Sequence, residues 1–301
     1  MRIGSMFDID RPIDDVVAQV AAMASAGIEA AWTSQIFGYD ALTVLALVGR
    51  EVPGIDLGTA VVPTYPRNPV MLAAQALTVQ AATGGRLTLG IGLSHQVVIE
   101  NVFGYSFDKP ARHMREYLSI LIPLLEGEQV SFAGETLRAS TMGPLGITAP
   151  PAPVLVAALG KVMLGLAGRM ASGTITWMTG PTTIETHIVP TIRAAATQAG
   201  RPEPRVAVGL PICVTDDVDG ARAKAAETFA IYGVLPSYRA MLDREGADGP
   251  PDVAIVGNAA EVAAQIRRFA DIGATDFCAA PFGSGKEISA SIEVLSGLVG
   301  A

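Results

Sequence analysis

Cysteine is almost absent from this sequence. Only Cys213 and Cys278 occur, each isolated in an apolar run, so neither a disulfide framework nor a paired-cysteine motif is available. Both are expected as small buried hydrophobes. Histidine is nearly as scarce, with His95, His113 and His187 alone. A protein-held metal needs several histidine, cysteine or carboxylate ligands converging, so no metal site is expected. No GxSxG elbow occurs, which removes the usual support for a Ser-His-Asp hydrolase. Basic clusters are missing and the formal net charge is -8, which argues against nucleic acid as a partner. The acidity favours solubility and self-repulsion, so an anionic ligand has to be met by local cations or helix N-termini. No apolar run of membrane-spanning length lacks breakers, and the chain opens on a strand-like run rather than a signal-peptide core. The expectation is a cytoplasmic protein with no membrane partner.

What is present is apolar and small. Half of the 301 residues are hydrophobic, yet only 6% are aromatic. Ala, Gly, Val and Leu dominate, as close helix-on-sheet packing requires. Strand-like runs cover residues 2–7, 29–34, 55–63, 86–93, 154–159, 174–178, 205–214 and 275–282. Helical patterns follow them at 14–26, 40–52, 68–83, 110–126, 162–171, 182–199, 218–235 and 284–298, with a further helix at 259–272. The stretch 206–213 is apolar throughout, which implies burial on both faces and a parallel sheet. Eight strand-helix units predict an α/β fold, a (β/α)8 TIM barrel in one domain spanning 1–301. The rival doubly wound sheet wants GxGxxG opening a helix; residues 89–94 read LGIGLS, lack the third glycine and lead into a long loop. Residues 127–151 are an insertion after the fourth helix, with a hairpin at 130–139 turning at Gly134. Such an insertion reads as a lid or binding loop.

Barrel sites lie at the C-terminal ends of the strands. That rule selects Met6 and Phe7; Thr33, Ser34 and Gln35; Ala60, Val61 and Val62; and Gly92, Leu93, Ser94 and His95. From the second half it selects Ala158 to Lys161, Trp177, Met178 and Thr179, Ile212 to Val214, and Pro281 to Gly283. The set holds one histidine, one lysine and one tryptophan but no carboxylate, which suits a cofactor that carries the hard chemistry itself. Residues 58–69, GTAVVPTYPRNP, end the third strand and open a helix with Asn68 as N-cap and Pro69 behind it. The glycines of RLTLGIGLSH at 86–95 either let a ring approach the backbone or relieve crowding inside the barrel. In ALGK at 158–161, backbone amides and Lys161 can hold a phosphate; an ordinary solvated lysine is the alternative.

Taken together these segments resemble the luciferase-like monooxygenase superfamily, and in particular its coenzyme F420-dependent branch. GTAVVPTYPRNP carries the resemblance, with GGRLTLGIGLSH at 84–95, RHMREYLSILIPLLEGEQVSFAGE at 112–135 and VGNAAEVAAQIRRFADIGATDF at 256–277. It implies an oxidoreductase of a small-molecule substrate, a homodimer, and F420 as cofactor, with FMN as the alternative. FMN has nitrogen where the deazaflavin has carbon, and so serves oxygen chemistry rather than hydride transfer alone. A third reading is a non-catalytic flavin-binding barrel. The resemblance places a non-prolyl cis peptide at Ala60-Val61, backing the ring. It places the phosphate and side-chain site at Ala158, Leu159, Gly160 and Lys161, and Leu93, Ser94 and His95 beside the ring. Ser34, Trp177 and Met178 complete the expected cofactor contacts. Related dehydrogenases carry Asp-His where this chain has Ser34 and Gln35, and an acid where it has His95. Alcohol oxidation is therefore disfavoured, and reduction of an activated C=C, C=N or C=O is expected. His95 or Tyr39 can give the proton, and Gln35 can orient the substrate.

Overall fold

The computed structural model describes residues 1–35 and 37–300. Eight parallel strands close into a barrel: Arg2–Met6, Ala30–Thr33, Asp56–Thr59, Leu87–Gly92, Val154–Ala157, Gly173–Trp177, Arg205–Val214 and Asp276–Pro281. The sixth and seventh strands pair from Arg205↔Gly173 to Gly209↔Trp177, the eighth pairs with both the seventh and the first, and the ring is complete. Helices on the outside bury one face each, and the main core lies between them and the strands.

The barrel interior is small. Trp32 fills much of it, 1% exposed, with Ala30, Leu155, Ile175, Ala207 and Cys278 around it. Its ring lies flat on the neighbouring backbone. A Cβ at Gly58 would sit 2.2 Å from the ring and one at Gly4 2.7 Å from Nε1. The N-terminal end is closed by charge. Arg205 donates to both Asp276 oxygens, at 2.7 and 3.2 Å, and to Thr88 Oγ1 at 3.1 Å. Arg2 adds a bond to Asp56 at 2.6 Å. Cys213 and Cys278 are both buried thiols, as expected from their apolar settings.

Several elements depart from the sequence reading. The third strand is not continuous over 55–63. It stops at Thr59, the Ala60-Val61 peptide is cis, and pairing resumes at Val62–Pro63. The fourth-strand glycines answer to this bulge. A Cβ at Gly90 would stand 1.9 Å from Thr59 O, and one at Gly92 2.7 Å from Val61 Cγ2. Crowding against the protein's own third strand therefore accounts for both. The expected loop after the fourth strand contains a helix, Gln96–Asn101. Helix 182–199 contains a π turn at Ile184–Ile188, because Pro190 has no N–H to give and its ring crowds the preceding turn. Helix 218–235 ends at Thr228. A 3-10 turn, Ala230–Gly233, and a separate helix, Pro236–Glu245, follow, with Pro236 fixing the new start. A short strand at Ile255–Gly257 extends the seventh strand's edge.

The insertion forms the expected hairpin, Ser131–Ala133 against Arg138–Ser140. It joins a helix to the next strand, and such joints lie at the barrel end opposite the site. Its tip turns back along the flank of helix Pro110–Leu125 to that helix's first turn, on the mouth side. Glu116 accepts from the N–H groups of Glu135, Thr136 and Leu137 at 3.0, 2.8 and 2.9 Å, and Glu135 pairs with Lys109 and Arg112. The hairpin thus braces the mouth-side half of that helix.

Candidate active site

At the C-terminal mouth, two small side chains of the third-strand bulge, Ala60 and Val61, lie half-buried above Trp32. Facing them are Leu93, Ser94 and His95, all half-buried, with Ser94 in the left-handed region at φ 60. His95 occupies the N-cap of helix Gln96–Asn101, and its ring lies 5.7 Å from that of Tyr238. Burial lowers the His95 imidazole below its ordinary value, so the neutral form is the resting one near pH 7.

Tyr238 belongs to an aromatic wall that the sequence reading missed. Its ring is 5.0 Å from Tyr232, Tyr232 is 5.9 Å from Trp177, and Trp177 is 6.1 Å from Phe229. Phe229 in turn meets Phe282 edge-on at 5.5 Å. The wall thus runs from the fourth-strand loop past the sixth strand to the eighth. Burial pushes the Tyr238 and Tyr232 phenols up, so both stay protonated at neutral pH. One signal in the sequence could have found it. In a chain only 6% aromatic, Phe229, Tyr232 and Tyr238 fall within ten residues around Pro236. Trp177 is half-buried, and its Nε1 is buried with no partner among the described residues. Such an N–H is a donor in search of an acceptor.

The loop after the fifth strand lies beyond this wall. Ala158 is buried, Leu159 half-buried, and Gly160 and Lys161 exposed. Gly160 is the N-cap of helix Lys161–Met170, which has no side-chain cap, and a Cβ there would meet nothing within 4 Å. The loop is fixed from behind by His187, whose Nε2 donates to Leu159 O at 2.8 Å, and by Thr174, which donates to Ala158 O at 3.3 Å. The next helix start is already filled. Glu245 accepts from Thr182 N at 3.0 Å and Thr183 N at 2.7 Å.

Three expected residues are held otherwise than the sequence suggests. Gln35 turns its amide oxygen to Ala41 N at 2.7 Å and Arg67 Nη2 at 3.3 Å, while its own N–H donates to Val61 O at 3.2 Å. It braces the bulge and lines a small cavity with Pro63 and Arg67. Arg67 also binds Asp40; burial works to raise that carboxyl, but hydrogen bonds from Arg67 and Thr43 leave it below its usual value. Tyr39 is 47% exposed on the loop before helix Ala41–Glu51. Met178, at φ 51, is fully buried in the main core and offers no surface to a cofactor. Ser34 remains at the mouth, half-buried, on the rim of a cavity of about 560 Å³. Among the described residues no cluster of His, Cys, Asp or Glu could hold a metal, and no helix is long and apolar enough to cross a membrane.

Residues 1–276 match the luciferase-like monooxygenase family. The 5,10-methylenetetrahydromethanopterin reductase of Methanolobus tindarius is 29% identical over 264 residues, 86% of this chain and 79% of the relative. Among solved structures, a coenzyme F420 dependent tetrahydromethanopterin reductase from Methanopyrus kandleri superposes with a TM-score of 0.83 at 22% identity, over 99% of this chain and 98% of the other. An oxygenating constituent of 3,6-diketocamphane monooxygenase from Pseudomonas putida, in complex with FMN, gives 0.77 at 16%, over 98% and 96%. At those identities the two structures establish a common fold.

Proposed function

The chain belongs to the luciferase-like monooxygenase family, and on that premise we propose that it is a coenzyme F420-dependent reductase of an activated C=C, C=N or C=O in a small organic substrate. The observation that carries the reading is the similarity to the reductase of Methanolobus tindarius over 86% of the chain.

The residues at the mouth fit such a cofactor. Ala60 and Val61 present a small apolar surface for a ring, with Ser34, Leu93 and Ser94 at its edges. The unpartnered Trp177 Nε1 is a donor for a ring carbonyl. Gly160 leaves the first amides of helix Lys161–Met170 open, and Lys161 beside them offsets anionic charge, as a phosphate requires. A reduced deazaflavin bound there supplies a hydride. The chain's own part is to orient, to exclude water and to handle one proton. His95 Nδ1 or Nε2 and Tyr238 Oη hold such protons in adjacent neutral side chains. Tyr39, exposed on the loop after the second strand, is the alternative donor. The cytoplasmic location and the homodimer belong to the same proposal.

Titration calorimetry of the purified protein with F420 and with FMN tests the cofactor, and turnover of reduced F420 with enone and imine substrates tests the reaction. Tighter binding of F420 is expected. Binding of FMN without F420 would replace this reading with the monooxygenase one, and binding without turnover would favour a non-catalytic barrel.

A further inference from the structure

One cavity lies off the centre of the barrel. It starts at the mouth beside Met6, Ser34 and Ala280, passes around the end of the first strand, and runs outward between helices Ile13–Ser25 and Gly285–Ser296. Its volume, about 560 Å³, suits a small ligand. The outer part is apolar, with Phe7 and Met23 each 4% exposed and Ile288 and Ile292 opposite on the last helix. Within this apolar wall is an orphan. Gln19 Oε1 is buried and has no hydrogen-bond partner among the described residues. A buried acceptor left unpaired costs about 1–3 kcal/mol, which a ligand donor or a water would recover.

The rim is acidic. Asp8 and Asp10 line it, against the one lining cation Arg11. Arg11 reaches Asp8 at 3.5 Å. The Asp10 carboxylate has no partner among the described residues and lies against Gly38, where a Cβ would meet Oδ1 at 2.0 Å. An apolar slot with an unpaired acceptor in its wall and a carboxylate at its rim selects by charge sign.

We propose that this slot binds a cationic amphiphile, an ammonium or iminium nitrogen on an apolar body, with the nitrogen at Asp10 and the body between the two helices. That the ligand is the enzyme's substrate rests on the reductase reading; that the slot holds it does not. With the head at the mouth, the carbon bonded to nitrogen lies nearest Met6, Ser34 and Ala280. Among the three acceptor types a C=N compound, protonated, is the one this rim favours.

Calorimetry of the cofactor-free protein with n-octylammonium, n-octanol and n-octanoate tests the slot. The ammonium should bind about tenfold tighter than the alcohol, and the carboxylate should bind weakest. Asp10→Asn should remove the advantage of the ammonium and leave the alcohol unchanged. Ala22→Trp, at an exposed position on the slot wall, and Ile288→Trp should each abolish binding of all three. Thermal melts of both variants show whether they fold, and their titration with F420 keeps the cofactor reading separate from this one. Equal or tighter binding of octanoate, no binding of octylammonium at millimolar concentration, or unchanged affinities in folded Ala22→Trp would each overturn the proposal.

Discussion

His95 and Tyr238 meet ring to ring at the mouth, one held neutral and the other held protonated by the same low-dielectric surroundings. If they handle the proton, His95→Ala and Tyr238→Phe should each lower turnover by roughly 100-fold while F420 affinity changes little. Single-turnover rates with reduced F420 read this directly, and near-wild-type rates in both variants would move the proton donor elsewhere. His113 makes a separate prediction about pH. It stacks on Tyr65 at 4.0 Å, and its Nε2 lies 3.0 Å from Thr64 Oγ1. Burial lowers its pKa to about 4, against the opposing pull of Glu116. An unfolded histidine titrates near 6.5, so between about 6.5 and 4 the unfolded chain binds the extra proton and the folded one does not. Stability is then complete above that window and is lost as pH falls through it, by at most about 3 kcal/mol. Urea midpoints at pH 7 and 4.5 should therefore diverge more for the wild type than for His113→Gln, which cannot titrate. Equal shifts in both proteins would assign the acid lability to other groups.

At the scale of elements, the mouth is built by pieces with different anchors. The third-strand bulge is tied to the fourth strand by Thr59, whose Oγ1 donates to Gly90 O at 2.7 Å and accepts from Gly90 N at 2.8 Å. The aromatic wall is anchored mainly at its far end. Helix Pro236–Glu245 ends on Glu245, whose carboxylate caps the N–H groups of Thr182 and Thr183. Ile231 and Val234 in the same segment are 56% and 73% exposed, while Met241 and Leu242 of the helix are buried in the main core. Replacing Glu245 by Ala leaves two donors without their acceptor, a loss of about 1–3 kcal/mol. Amide exchange across 229–245 should speed up accordingly while the barrel strands keep their protection. Uniform acceleration over the whole chain would mean that the wall and the barrel open as one unit.

The molecule as a whole separates stability from function along the barrel axis. Arg205, Asp276, Arg2, Asp56 and Thr88 close the N-terminal end, and the candidate site occupies the other. Asp276 has a side chain only 3% exposed, and its removal strands the Arg205 guanidinium. Asp276→Ala should cost about 3 kcal/mol, near the low end for breaking a buried pair because Arg205 keeps some solvent. Turnover well below the melting temperature should stay near wild type. A large loss of kcat in a folded Asp276→Ala protein would show that the two ends are coupled.

The eight strand-helix units were legible in the sequence because each strand, buried on both faces, must be apolar along its length, as in 206–213. The N-cap at Asn68 was legible too: its side chain accepts from Val70 N at 2.9 Å, with Pro69 next. So was the loop at Gly160 and Lys161, since a strand running into a helix fixes where its first amides point. What the sequence could not decide were contacts between segments distant in the chain. That Ala41 and Arg67 share the Gln35 amide oxygen is one such contact. The glycines of LGIGLS read equally as a ring site or as relief of crowding until Thr59 O was found where a Cβ would go. Tyr238 sits 143 positions after His95, and nothing local in either segment records that their rings meet. Periodicity is a property of neighbours along the chain, and so it specifies elements. The partners of a side chain depend on how those elements close around one another, and only the closed barrel settles them.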